Sequence, residues 1–167
     1  MDWIKLDDEM FDMVNEFTME ADIALYGRVT YEMMEAYWPT AADKPDATRH
    51  DIQHSNWYNQ SEKIVLSKTM KDVKRNKTSF ISNNFAAELE KLKNNGDKSI
   101  LVFGSPSLVH LLMLHNFIDQ YWLLVNPVML GEGISMFPNL SIRTSLELTT
   151  SKAFSYGVVA LNYKVIS

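Results

Sequence analysis

Three strings in this sequence end an apolar run with side chains suited to binding an anion. In the first, Gly27, Arg28 and Thr30 follow Ile23-Ala24-Leu25-Tyr26. Arginine at the mouth of a helix can grip a phosphate through two parallel hydrogen bonds, and a threonine there can bond a diphosphate. In the second, Ser67, Lys68 and Thr69 close the run Lys63-Ile64-Val65-Leu66. A hydroxyl beside an ammonium suits a ribose 2′-phosphate. In the third, Gly104, Ser105, Pro106, Ser107 and Leu108 follow Ile100-Leu101-Val102-Phe103. Gly104 allows close approach to the backbone, and the amides that open a helix can donate to phosphate oxygens. Each string also has a plain reading: an exposed arginine with a helix cap, a strand-to-turn transition, and Ser105 as a cap with Pro106 in the first helical turn. For Gly104 to Ser107 the spacing leaves both readings open. Taken together, three such junctions suggest a phosphorylated nucleotide along the carboxyl edge of a parallel sheet.

Other chemistry is thin. Gly131, Glu132 and Gly133 make a flexible turn after Pro127 that could border a substrate. His50 and His54 stand four apart, but no third ligand is evident and the segment reads as polar and exposed, so no metal is expected. His110 and His115 point to different sides of one helix. A full G-x-G-x-x-G fingerprint, a nucleophile elbow, a Walker loop and a paired-carboxylate motif are all absent.

The elements that must position these residues follow from periodicity and punctuation. Lys98 to Phe137 is the organising stretch: strand, glycine turn, apolar helix Leu108 to Leu114, then a second apolar run, Tyr121 to Val125, a βαβ reading. Ahead of it, Leu6 to Met19 reads as a helix capped by Asp7, with Met10, Met13, Val14 and Phe17 on one face. Strand Ile23 to Tyr26 leads into helix Tyr31 to Ala36, which Pro39 stops. A polar loop follows, then a short polar helix, Asp51 to Gln60. Lys63 to Ser67 and Thr78 to Ser82 read as strands. Helix Phe85 to Asn94 is capped by Asn83 or Asn84 and ended by Asn95-Gly96. Leu146 to Phe154 and Val158 to Ile166 form a closing antiparallel hairpin, with Val159, Leu161, Tyr163 and Val165 on one face of its second strand.

Composition sets the bounds. At 167 residues and 46% hydrophobic, the chain is expected to be one domain, residues 1–167, with a full core. A net charge of −5 with scattered basic residues gives no footprint for nucleic acid. No apolar run reaches the roughly 18–20 residues of a membrane span. The acidic N-terminus is not a signal peptide, and the absence of cysteine suits a cytoplasmic protein.

The blocks LYGRVTYEMMEAYWP, KIVLSKT, ILVFGSPSL and FIDQYWLLVNPVMLGEGISMF, in this order, closely resemble the signature blocks of the dihydrofolate-reductase-like superfamily. The nearer branch holds the C-terminal reductase domain of the bifunctional riboflavin-biosynthesis deaminase–reductase. The resemblance implies an α/β fold: a mixed, mostly parallel sheet flanked by helices, closed by the C-terminal antiparallel hairpin. It implies an NADPH-dependent reductase, akin to 5-amino-6-(5-phosphoribosylamino)uracil reductase, that acts on a small heteroaromatic or sugar-derived molecule, and frequently a homodimer. The alternatives are a non-catalytic dimeric binding or structural protein that retains the fold, and a flavin-binding protein. By the same resemblance Gly27, Arg28 and Thr30 contact the cofactor phosphates. Ser67 and Lys68 meet the adenosine 2′-phosphate. Gly104, Ser105, Ser107 and Leu108 hold the diphosphate, and Gly131, Glu132 and Gly133 lie near nicotinamide and substrate. Phe103 and Pro106 stand where many relatives have glycine, and Pro106 offers no N–H. Relatives also carry an additional first strand and a serine–leucine–aspartate–glycine loop ahead of the segment seen here as Met1-Asp2-Trp3. That strand is expected in the middle of the sheet.

Overall fold

The computed structural model describes residues 3, 4, 7–70, 75–94, 98–137 and 143–166. Leu6, Asn95 and Gly96, and Met1 and Asp2 of the N-terminal segment, lie outside the described residues. The chain divides into two compact units, Phe11–Val109 on one side and Met1–Met10 with His110–Ser167 on the other.

The Phe11–Val109 unit is built on a four-stranded parallel sheet. Helix α1 (Asp8–Glu20) leads into it, its start held by Asp7, whose Oδ1 accepts the Met10 N–H at 3.0 Å. Strand β1 (Ile23–Gly27) is buried along its whole length and passes directly into α2 (Arg28–Tyr37). Next come a 3-10 helix (Trp38–Asp43) and α3 (Arg49–Gln60). Thr48 and Asp51 form a reciprocal capping box, so α3 starts ahead of the expected Asp51, and part of the expected loop is helical. Strands β2 (Glu62–Leu66) and β3 (Thr78–Ile81), helix α4 (Phe85–Asn94) and strand β4 (Ile100–Val102) complete the order β3-β2-β1-β4. Tyr26, Tyr31, Tyr58, Ala24 and Val65 form one cluster of the core, with Met34, Trp38, Trp57, Met70, Phe80 and Phe103 packed against it.

Lys63, only 3% exposed on β2, is the least expected member of the interior. Its Nζ donates to the carbonyls of Tyr58 and Ser61 at 2.6 and 3.1 Å and lies over the Tyr58 ring. A cation at the C-terminal end of α3 satisfies carbonyls that have no partner within the helix. Burial holds this ammonium below the usual lysine range.

The other unit holds the end of α5 (Pro106–Leu114) and a separate antiparallel sheet of β5 (Gln120–Val125), β6 (Ser145–Ala153) and β7 (Val159–Ile166), in the order β5-β7-β6. The hairpin is as expected, with Gly157 at φ 93° in its turn. Two expectations need correction. Strand β5 does not extend the parallel sheet beside β4; it pairs antiparallel with β7, from Gln120↔Lys164 to Val125↔Val159. On β7 the fully buried positions are Ala160 and Asn162, on the face expected to be polar. Asn162 is tolerated there because its Oδ1 accepts from Gln120 Nε2 at 2.8 Å and Thr149 Oγ1 at 2.7 Å. Among the described residues no helix is long and apolar enough to cross a membrane.

Candidate functional site

Register brings three of the sequence-predicted junctions to one edge. Gly27 pairs with Leu66, Leu66 with Ile81, and Leu25 with Val102, all in parallel. The chain therefore leaves β1 at Arg28, β2 at Ser67 and β4 at Phe103 from the same, carboxyl side. Gly27 and the Ser105 turn come into close approach: a Cβ on Gly27 would lie 2.7 Å from Ser105 Oγ and 3.7 Å from Leu108 Cβ. The backbone of Gly27 is extended, so glycine is needed here for space rather than for a special dihedral. Gly104, by contrast, has φ +93°, which side-chain-bearing residues rarely adopt, and the Gly104–Ser105 peptide is cis.

The donors on this rim come from two helix starts. Helix α2 has Gly27 at its N-cap and no side-chain cap, so its first amides face the rim without a side-chain partner. At α5, Ser105 Oγ and Ser107 Oγ are 3.0 Å apart and bond each other, and the Ser105 carbonyl accepts the Val109 N–H. Leu108 is buried and Thr30 half-buried.

Two predicted residues are already engaged. Arg28 Nη1 donates to Glu32 Oε2 and Oε1 at 2.8 and 3.0 Å, an exposed i,i+4 pair of the kind that contributes little to stability. Ser67 is buried, and its Oγ accepts the N–H groups of Thr69 and Met70 at 3.2 and 2.9 Å. With both lone pairs so used, the Ser67 hydroxyl proton faces Thr69 Oγ1 at 3.4 Å. Lys68 is exposed beside it. Gly131, Glu132 and Gly133 belong to the other unit, on an exposed segment where Gly131 has φ +77° and open space on the side a Cβ would occupy. In the same segment His110 Nε2 meets the Ser135 carbonyl at 3.0 Å.

Two concavities in the Phe11–Val109 unit lie at the opposite, amino edge of the sheet. One, about 530 Å³, is lined by residues such as Asn15, Thr18, Asp22, Gln53 and Trp57. The other is lined by Asp22, Gln60, Glu62, Lys77, Thr78 and Lys98. Their cations are already bonded, Lys98 to Glu62 at 2.8 Å and Lys77 to the Gln60 carbonyl at 2.7 Å. Arg28 on the carboxyl rim is paired likewise; what that rim adds is the uncapped start of α2, whose amides suit an anion.

Sequence reasoning missed the α3 histidines. Expected on a polar, exposed helix, His54 is 4% exposed and His50 half-buried, inside a ring of aromatics. Their clustering with Trp57 and Tyr58 on one short helix, soon after Trp38, is the signal that carried this information. Among the described residues no group of three histidine, aspartate or glutamate side chains is placed to hold a metal ion.

The profile of the RibD C-terminal domain matches residues 2–160. This chain belongs to the RibD C-terminal domain family. The uncharacterized protein YyaP of Bacillus subtilis (strain 168) is 32% identical over 165 residues, spanning 98% of this chain and 83% of YyaP. A Shewanella sp. PV-4 protein assigned to riboflavin biosynthesis has a structure similar at TM-score 0.76 and 17% identity, covering 100% of this chain and 88% of that one. A diaminohydroxyphosphoribosylaminopyrimidine deaminase/5-amino-6-(5-phosphoribosylamino)uracil reductase from Thermotoga maritima matches at TM-score 0.63 and 12% identity, over 96% of this chain and 50% of that one. At such identities the structural likeness speaks to the fold, which is the dihydrofolate-reductase-like one that RibD-type proteins share.

Proposed function

We propose that this chain is an NADPH-dependent reductase whose cofactor phosphates rest on the carboxyl rim of the parallel sheet. The observation that carries the reading is the close approach of Gly27 to the Ser105 turn, which sets an uncapped helix start beside a second helix start. In this reading the α2 amides, Arg28 and Thr30 bind phosphate oxygens, and the Gly104 to Leu108 turn lies against the diphosphate. Ser67 turns its hydroxyl proton from Thr69 Oγ1 to the 2′-phosphate, with Lys68 adding charge. Glu32 releases Arg28 when the phosphate arrives, an exchange that costs little because the pair is exposed. Gly131, Glu132 and Gly133, on the exposed segment of their own unit, are proposed to serve the substrate.

When bound, NADPH supplies a hydride to a carbonyl or imine carbon; the chain orients cofactor and substrate and excludes water. Membership of the RibD C-terminal family and the reductase-type neighbours support a small heteroaromatic or sugar-derived substrate. The family match runs across both units, which supports a single domain, and the protein is proposed to work as a cytoplasmic homodimer. One observation favours a second reading, a binding protein without turnover: Arg28 and Ser67 both already have partners. Titration with NADPH, followed by energy transfer from the four tryptophans to the nicotinamide, separates the two. Saturable transfer supports the reductase, and none at millimolar cofactor supports the second.

A further inference from the structure

The two ring nitrogens of His54 have no hydrogen-bond partner, but the rings around it are already in contact, Trp38 at 4.0 Å between centroids, and His54 lines neither concavity of the amino edge. Unfilled space bounded by polar atoms lies instead between the C-terminal halves of α1 and α3, in the concavity of about 530 Å³. Gln53, Asn56 and Gln60 line it from α3 at i, i+3 and i+7, a spacing that sets them on one helix face. Thr18 lines it from the last turns of α1, and Asp22 and Ser61 from just past the two helix ends.

The fixed polar atoms of this lining are acceptors. Thr18, 1% exposed, donates its one hydroxyl proton to the Asn15 carbonyl at 2.8 Å, and Ser61, 8% exposed, donates its own to the Tyr58 carbonyl at 3.4 Å. Each hydroxyl is left with lone pairs only. Asp22 takes the Ser99 N–H on Oδ2 at 2.9 Å, and among the described residues its Oδ1 has no hydrogen-bond partner. The carboxamides can turn either end inward. The charge is one-sided too. Lys63 and Lys77 bond carbonyls at the end of α3, and Lys98 bonds Glu62 with Asp22 nearby. Helix α1 has no basic residue in its last turn; Glu20 closes it and Asp22 follows, anions at the helix end where anions are disfavoured.

We infer that this concavity binds the primary ammonium group of a small unbranched aliphatic amine. Its N–H donors meet Asp22 Oδ1, the Thr18 and Ser61 hydroxyl oxygens and the carboxamide oxygens, and its charge offsets the acidic end of α1. The alkyl chain lies against Met19, 78% exposed, and the half-buried Trp57, which supply the apolar part of the lining. A guanidinium fits less well, because it pairs with both oxygens of a carboxylate and Asp22 has one free. A divalent metal fits less well, because the lining holds a single carboxylate. The site is independent of the proposed cofactor rim: it lies at the other edge of the sheet, and its charge repels phosphate.

The test uses the full chain and n-butylammonium as probe, with 1-pentanol as a neutral comparator of like shape and potassium as an inorganic cation. Nα-acetyl-lysine methylamide presents the same ammonium as a side chain of another protein would. Amide and carboxamide chemical shifts report both binding and its place. Butylammonium should saturate at about 1 mM, the scale open to a ligand of so few atoms, with its largest shifts at Thr18 to Asp22 and at the Gln53, Asn56 and Gln60 carboxamides. Asp22→Asn keeps an oxygen for the Ser99 N–H and should weaken the probe by at least about tenfold. NADPH affinity of that variant should stay within about twofold of the parent's. The lysine derivative binding more weakly than butylammonium upholds a free amine as the ligand; tighter binding overturns that choice in favour of a protein side chain. Pentanol or potassium giving the same shifts, full butylammonium affinity in Asp22→Asn, or no saturation by the parent overturns the site. Should Asp22→Asn not fold, the double variant Gln53→Leu, Asn56→Leu, on the exposed side of α3, should lose affinity severalfold; unchanged affinity there overturns it equally.

Discussion

Replacing His54 with phenylalanine should change how stability responds to acid, and the size of the change follows from the structure. In the folded chain the imidazole resists protonation down to about pH 4, because burial excludes the charged form. In the unfolded chain it protonates near 6.5. Above 6.5 neither state binds the proton and the group contributes no pH dependence. Below it the unfolded state takes up a proton the folded state refuses, so stability falls as pH falls, levelling off near 4. By pH 5 the loss is about 2 kcal/mol, and its limit is about 3 kcal/mol. His50 is also held low by burial, with Asp12 and Asp51 opposing and Arg49 assisting, but those contributions are common to parent and variant. Urea unfolding at pH 7.5, 6.0 and 5.0 isolates the difference. The variant should be the more stable at pH 7.5, by ~1–3 kcal/mol for the unpaired atoms removed. Its advantage should grow by about 2 kcal/mol at pH 5. Parallel pH curves for the two proteins would mean that His54 is solvated or partnered, and would refute the reasoning.

Lys68→Ala should weaken NADPH more than NADH, by roughly 10- to 100-fold for one charged hydrogen bond of about 1.5–3 kcal/mol; equal losses in parallel titrations would remove Lys68 from the 2′-phosphate side. Gly27→Ala places a Cβ 2.7 Å from Ser105 Oγ and must push that hydroxyl from its 3.0 Å contact with Ser107, so calorimetry should show cofactor affinity reduced on the order of tenfold. Unchanged affinity would show that the Gly27–Ser105 approach does not shape the site. Lys63→Met leaves the Tyr58 and Ser61 carbonyls without their donor, a loss of ~1–3 kcal/mol in urea unfolding, with cofactor affinity intact because Lys63 sits at the amino end of β2.

Much of this fold is legible in the sequence where local signals agree. Asp7, Gly27, Ser105-Pro106 and the Phe85–Asn94 helix each combine an apolar run with a recognisable start or stop, and the structure puts elements there. Partner choice is another matter. Tyr121 to Val125 looks like any buried strand, and nothing local says whether it pairs with β4 or with β7. The α3 surface misleads for a related reason: histidine, asparagine and glutamine read as solvent-facing until tertiary packing closes aromatic rings over them. Lys63 and Asn162 are buried polar residues whose partners come from another element or a neighbouring strand, so their own segments give no hint of it. The rim residues are legible as strand ends with anion chemistry. That Glu32 holds Arg28, and that Ser67 closes a turn, depends on side-chain geometry the spacing does not encode.

The central claim concerns which edge of the parallel sheet receives the cofactor, and amide chemical-shift mapping with NADPH tests it most directly. The rim predicts that the largest shifts cluster at Gly27 to Thr30, Ser67 to Thr69 and Gly104 to Leu108. Shifts confined to the amino edge, at Asp22, Gln60, Glu62, Lys77 and Lys98, would contradict it.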